Sequence, residues 1–249
     1  VSSSNGPTSG DPLSDDALDL SDDMLHARRV PPALPYVPPK SKLIDFERGM
    51  KLWPITAIFM IVLCCITFVW QLERGAMDSE DAFISAGALH RASVLKGEVW
   101  RIFTATILHG DITHLFGNMV MLYILALGVE HGFGIARGML IYLVSALAGS
   151  LASLVMSEGP SVGASGAIFG LAGAVIVFVY RFRNRYFLRD KRIGFVLLIW
   201  AGWTVVTGFL SPGIDNWAHI GGFVGGAGLG ALLPGKQKFA EPVGSVVKF

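Results

Sequence analysis

Charge is scarce in this chain. Only 16% of its 249 residues are Asp, Glu, Lys or Arg, whereas a soluble globular protein carries about a quarter. Neither sign dominates: 20 basic against 19 acidic residues leave a net charge of +1, which gives no reason to expect nucleic acid as a partner. Cysteine is nearly absent. The two present, Cys64 and Cys65, are neighbours inside an apolar run, so a disulfide scaffold is excluded and both read as small hydrophobes. A disordered or collagen-like chain would lack the apolar content found here, which is 52% of residues with a mean hydropathy of +0.55. What remains is a polytopic membrane protein rich in glycine, of which there are 30.

A helix that spans a bilayer needs about 20 mostly apolar residues, within a range of about 17–25. Six apolar stretches are read as spans: 52–70, 114–129, 138–157, 165–180, 193–210 and 217–233, with 114–129 and 165–180 at 16 residues just short of that range. The expected fold class is an all-α membrane protein, a bundle of six transmembrane helices with a long first loop at 71–113. Positive charge on the connections orients the bundle. Lys40, Lys42, Arg48 and Lys51 precede the first stretch; Arg181, Arg183, Arg185, Arg189, Lys191 and Arg192 separate the fourth from the fifth; Lys236, Lys238 and Lys248 follow the sixth. The loops 157–164 and 211–216 contain neither Lys nor Arg. Both termini are therefore expected in the cytoplasm, and the uncharged loops outside.

Residues 1–50 are of another composition, with six aspartates by residue 23 and the proline-rich PPALPYVPP at 31–39. They offer too little apolar surface to offset the entropy of ordering. The expected organisation is a disordered cytoplasmic tail at 1–50, a six-helix domain at 51–234 and a short cytoplasmic tail at 235–249. The acidic start is unlike a mitochondrial transit peptide, and no apolar segment of a signal peptide precedes Leu52.

Polar side chains at membrane depth are costly and mark function. With the orientation above, Ser165 opens the fourth helix on the outer side and His219 lies in the first turn of the sixth. His114 and Asn118 stand four apart on one face of the second, with His109 just before it. Topology brings them to one level. A serine becomes a nucleophile when a base takes its proton, and His219 is the available base. Asn118, His114 and the Ser165 amide can donate to a developing oxyanion. The fourth and sixth helices must then approach closely, and small residues at four-residue spacing permit it: Gly166 and Gly170 on one, Gly222, Gly226 and Gly230 on the other.

Trp100–Arg101, the HGDITHLFGN stretch from His109, GASG at 163–166 and AHIGGFVGG from Ala218 together resemble the signatures of rhomboid intramembrane serine proteases, over about residues 50–233. The resemblance implies a Ser165–His219 dyad without a catalytic aspartate and an oxyanion hole of His114, Asn118 and the Ser165 amide. It also implies a supporting role for His109, an aromatic (Phe169) stacked on the catalytic histidine, and Trp100–Arg101 as a motif of the first outer loop. Glu130, closing the second span, fits the same pattern. With no seventh helix, the likeness is to the six-helix bacterial form, in the inner membrane. The implied partners are transmembrane protein substrates and the lipid bilayer, with no cofactor. Bulky Trp200, Trp203 and Phe209 on the fifth span are the expected gate for lateral access, or lipid-facing anchors.

Rival readings fare worse. A lipase elbow needs G-x-S-x-G, but Ala167 follows Gly166. A zinc protease needs H-E-x-x-H or a similar cluster, which is absent, so no metal is expected. A transporter would present broken helices and inverted repeats. The strongest rival is a catalytically inactive relative that binds transmembrane clients; such relatives typically lack the serine or the histidine, and both are here.

Overall fold

The computed structural model describes residues 43–190, 192–211 and 213–236. The acidic and proline-rich parts of the expected N-terminal tail, and the expected C-terminal tail beyond Lys236, lie outside the described residues. Six long helices occur where the six apolar stretches stand: α1 (Ile55–Glu73), α5 (Ile112–Phe133), α6 (Ile135–Met156), α7 (Ser165–Arg181), α8 (Ile193–Leu210) and α9 (Asn216–Leu232). Four of them, α1, α5, α6 and α8, are each long and apolar enough to cross a membrane. Helix α7 is apolar but has 17 residues. Helix α9 also has 17 and carries six glycines, so it has little side-chain surface to offer lipid.

Two helices run past their apolar stretches because their polar ends have partners. Helix α1 continues beyond Trp70 through Gln71, a fully buried side chain. Its amide accepts from the His109 backbone N–H and donates to the His109 carbonyl, both at 3.0 Å. Helix α5 continues beyond Val129 because Glu130 and His131 are both engaged. Pro54 precedes α1 and supplies no side-chain cap. Glu130 takes that role from across the bundle, accepting from Ile55 N–H at 3.0 Å and Thr56 N–H at 2.6 Å. His131 Nε2 bonds the Phe46 carbonyl.

Helix α7 is the axis of the fold, buried without interruption from Gly166 to Ala174, with α5, α6 and α9 packed around it. Helix α1 lies against α5. Helix α8 is the loose member, burying only Ala201 and Gly208. Between α1 and α5 the chain makes three short helices, α2 (Glu80–Ser85), α3 (Arg91–Leu95) and α4 (Arg101–Thr104). Arg101 holds this segment together: its buried guanidinium donates to Glu98 at 2.7 Å and to the carbonyls of Ile84 and Ala88. The neighbouring Trp100 ring lies 4.6 Å from it. The chain also contains a feature outside the all-α expectation. Two-residue strands β1 (Ile44–Asp45) and β2 (Tyr186–Phe187) pair in parallel, and Arg189 reaches Asp45 and Glu47 with 3.3 and 3.5 Å ion pairs.

Candidate active site

Three helix beginnings meet at one end of the bundle. Helix α5 starts at Asp111, whose carboxylate accepts from His114 N–H at 2.8 Å, an N-cap that fixes the first turn. Helix α9 starts at Asp215, whose Oδ1 accepts from Ala218 N–H at 3.0 Å and from Ser157 Oγ at 2.8 Å. This one carboxylate sets the turn carrying His219 and ties it to the end of α6. Helix α7 starts at Ser165 itself, after Ala164, with no side-chain cap. Its first N–H groups therefore have no intrahelical acceptor and stand at the positive end of the helix dipole.

Ser165 Oγ and His219 Nε2 are 2.9 Å apart. His219 is buried, and Phe169 stacks on its ring with centroids 4.3 Å apart and planes within 4°. Trp200 also stacks on Phe169, with ring centroids 5.1 Å apart. His219 Nδ1 has no hydrogen-bond partner among the described residues. The histidine is held by stacking and by its helix, with no carboxylate on its far nitrogen.

Asn118 is buried with its Nδ2 donor unpaired among the described residues. A buried donor without an acceptor is unusual and calls for an explanation. His114 Nδ1 accepts a long contact of 3.5 Å from Gly110 N–H, which leaves Nε2 as the donor in the neutral ring. Gly163 brings both side chains to the serine. Its φ is +123°, and a Cβ there would lie 2.8 Å from His114 Cε1 and 3.5 Å from Asn118 Nδ2; only glycine serves. A cavity of about 570 Å³ opens onto this group, lined by His114, Asn118, Ser165, Phe169, Trp200 and His219 among others.

The remaining expected residues sort plainly. His109 is fully buried, its ring edge-on to His114 at 5.2 Å. Burial, together with His114, pushes its pKa down to about 4, so the ring stays neutral. Gly166, Gly222 and Gly226 lie where α7 and α9 touch: a Cβ on Gly222 or Gly226 would run into the carbonyl of Gly166 or Gly170. Of the three residues expected as a gate or as lipid-facing anchors, Trp200 joins the site through Phe169, whereas Trp203 and Phe209 are exposed. No group of three or more His, Cys, Asp or Glu among the described residues is arranged to hold a metal ion. Two positions escaped the sequence reading. Gln71 lay just past an apolar run, and Asp215 lay in a loop where only its spacing before a helix, as an N-cap, marks it.

The arrangement can move a proton from a hydroxyl to an imidazole while presenting donors nearby. Comparison with known proteins gives the family. The Rhomboid domain family matches residues 96–236. Rhomboid protease GluP of Bacillus subtilis is 34% identical over 194 residues, covering 78% of this chain and 37% of that protein. RHOMBOID-like protein 5 of Arabidopsis thaliana is 41% identical over 150 residues, 59% of this chain and 48% of that one. Putative rhomboid protease YdcA of Bacillus subtilis is 28% identical over 196 residues, 78% of this chain and 96% of that one. The chain spans less than half the length of the first two. The chain belongs to the rhomboid family and, with four helices suited to crossing a bilayer, is an integral membrane protein.

Proposed function

We propose that the protein is an intramembrane serine endopeptidase that cuts transmembrane segments of single-span proteins near the outer membrane face. One observation carries the reading: the 2.9 Å contact between Ser165 Oγ and His219 Nε2 beside the unpaired Asn118 amide. All six long helices cross the bilayer in this reading, α7 and α9 being short because glycine contacts, not lipid, cover them. In this reading both termini lie in the cytoplasm of a bacterial cell and the site near the outer surface, an orientation that the basic connections support.

Ser165 O–H gives its proton to His219 Nε2 as Oγ attacks the scissile carbonyl carbon. The carbonyl oxygen, now carrying negative charge, receives hydrogen bonds from Asn118 Nδ2–H, His114 Nε2–H and the Ser165 amide. His219 then returns the proton to the leaving amine, and a water molecule, deprotonated by His219, hydrolyses the acyl-enzyme. The alternative of an inactive client-binding relative is disfavoured because the serine and histidine are within hydrogen-bond reach of each other.

Replacing Asn118 by Ala is expected to lower turnover about 10–1,000-fold without abolishing it, because one of several oxyanion donors is lost. Wild-type turnover would remove Asn118 from the mechanism. The reading itself is tested with purified full-length chain in proteoliposomes, a single-span reporter and mass mapping of products. Cuts are expected in the outer part of the span, where Gly, Ala or Ser let the helix unwind. A peptide bond in an intact helix is shielded by its i→i−4 hydrogen bonds. Changing those small residues to Leu should therefore protect the reporter. A uniform Leu span cut just as fast would defeat the unwinding step.

A further inference from the structure

At the other end of the bundle, about 24 Å from His114 along α5, lies a second cavity of about 300 Å³ that the proposed reaction does not use. Its polar rim is made by Lys51, Glu130 and Lys236, its apolar wall by Trp53, Ile55, Leu127 and Ile135. The charges do not cancel within it. Both Glu130 oxygens are taken up by the Ile55 and Thr56 amides at the positive end of α1. Neither the Lys51 nor the Lys236 ammonium forms an ion pair among the described residues. Lys236 is fixed by its backbone, whose N–H donates to the Gly132 carbonyl at 2.7 Å. Burial pushes its pKa below the ordinary lysine range; Glu130 opposes that shift and Lys51 adds to it. An exposed lysine and a partly buried one thus face one space and leave it short of an anion.

We propose that this cavity binds the phosphate of an anionic phospholipid, held between Lys51 and Lys236 with an acyl chain along Ile55 and Ile135. The wall argues for a lipid over a soluble phosphate. Leu52, Trp53, Ile55 and Ile135 are exposed large hydrophobics beside the lysines, and tryptophan favours the level where headgroups meet hydrocarbon. Basic pockets between helices on the cytoplasmic side suit anionic headgroups, and the orientation proposed above puts this end there. The site is distinct from the serine site and does not depend on proteolysis.

The test uses the purified full chain in neutral detergent, titrated with phosphatidylglycerol and read by thermal unfolding and by native mass spectrometry. One retained lipid and a raised Tm are expected, with phosphatidylcholine giving neither. Lys51→Gln and Lys236→Gln should each weaken apparent affinity about fivefold, and the pair together more than either alone. Their lipid-free Tm should match wild type, since neither side chain belongs to the core. Lys51→Arg and Lys236→Arg should retain binding. Arg183→Gln, which removes an exposed cation elsewhere, should change nothing. The proposal is overturned if Arg183→Gln weakens binding as much as either lysine variant. Equal protection by phosphatidylcholine or inorganic phosphate, or wild-type affinity in the double variant, would overturn it too.

Discussion

Ser165→Ala is expected to reduce cleavage of a single-span reporter by about 10³-fold or more, and His219→Ala by a similar factor, because the two act as one unit and removing either stops the proton transfer. Both variants should remain folded. Ser165 is small and begins a helix; His219→Ala loses the stack on Phe169, but the glycine contacts between α7 and α9 remain. Size exclusion and thermal unfolding check the fold, and product formation checks the chemistry. Appreciable turnover by Ser165→Ala would end the serine mechanism. The wild-type protein, on the proposed mechanism, should itself be slow, and should react sluggishly with fluorophosphonates. His219 Nδ1 has no partner among the described residues, so no carboxylate among them is hydrogen-bonded to the imidazolium as the aspartate of a triad is.

The helices were legible in the sequence wherever lipid-facing surface dictates the residues. Ile193–Leu210 is the clearest case, because a loosely packed helix must be apolar nearly all round. Legibility failed at polar ends. Gln71, Glu130 and His131 stop a hydropathy reading, yet each pairs inside the protein with a backbone group distant in sequence. A one-dimensional scan contains no information about such partners. The β1–β2 pair was invisible for a related reason: it joins two polar connections about 140 residues apart. At the site, helix direction alone placed Ser165, His219, His114 and Asn118 together. The role of Gly163 in seating His114 came only with the backbone angle.

Gly222→Ala is expected to cost activity out of proportion to its size. At this point α9 touches α7 backbone to backbone: the added methyl would lie 3.0 Å from Gly166 Cα and closer still to the Gly166 carbonyl. Backbone cannot rotate away as a flexible side chain can, so the two helices must part by on the order of 1 Å, and a displacement of that size at a reacting centre costs about 100-fold. The displaced pair is the pair that holds the site, for Gly166 follows Ser165 directly and Gly222 lies one turn beyond His219 on the same helix. A Ser–His hydrogen bond works only within about 2.6–3.2 Å; from 2.9 Å there is little room. Gly228→Ala, six residues further along α9, provides the control. A Cβ there meets nothing within 4 Å, and exchanging an interior helical glycine for alanine adds about 0.5–1 kcal/mol of helix stability. Turnover and Tm of the two variants, measured side by side, should therefore diverge: Gly222→Ala slow and less stable, Gly228→Ala active and equally or more stable. Equal turnover in both would mean that α7 and α9 tolerate separation, and that the glycine contact does not set the Ser165–His219 distance.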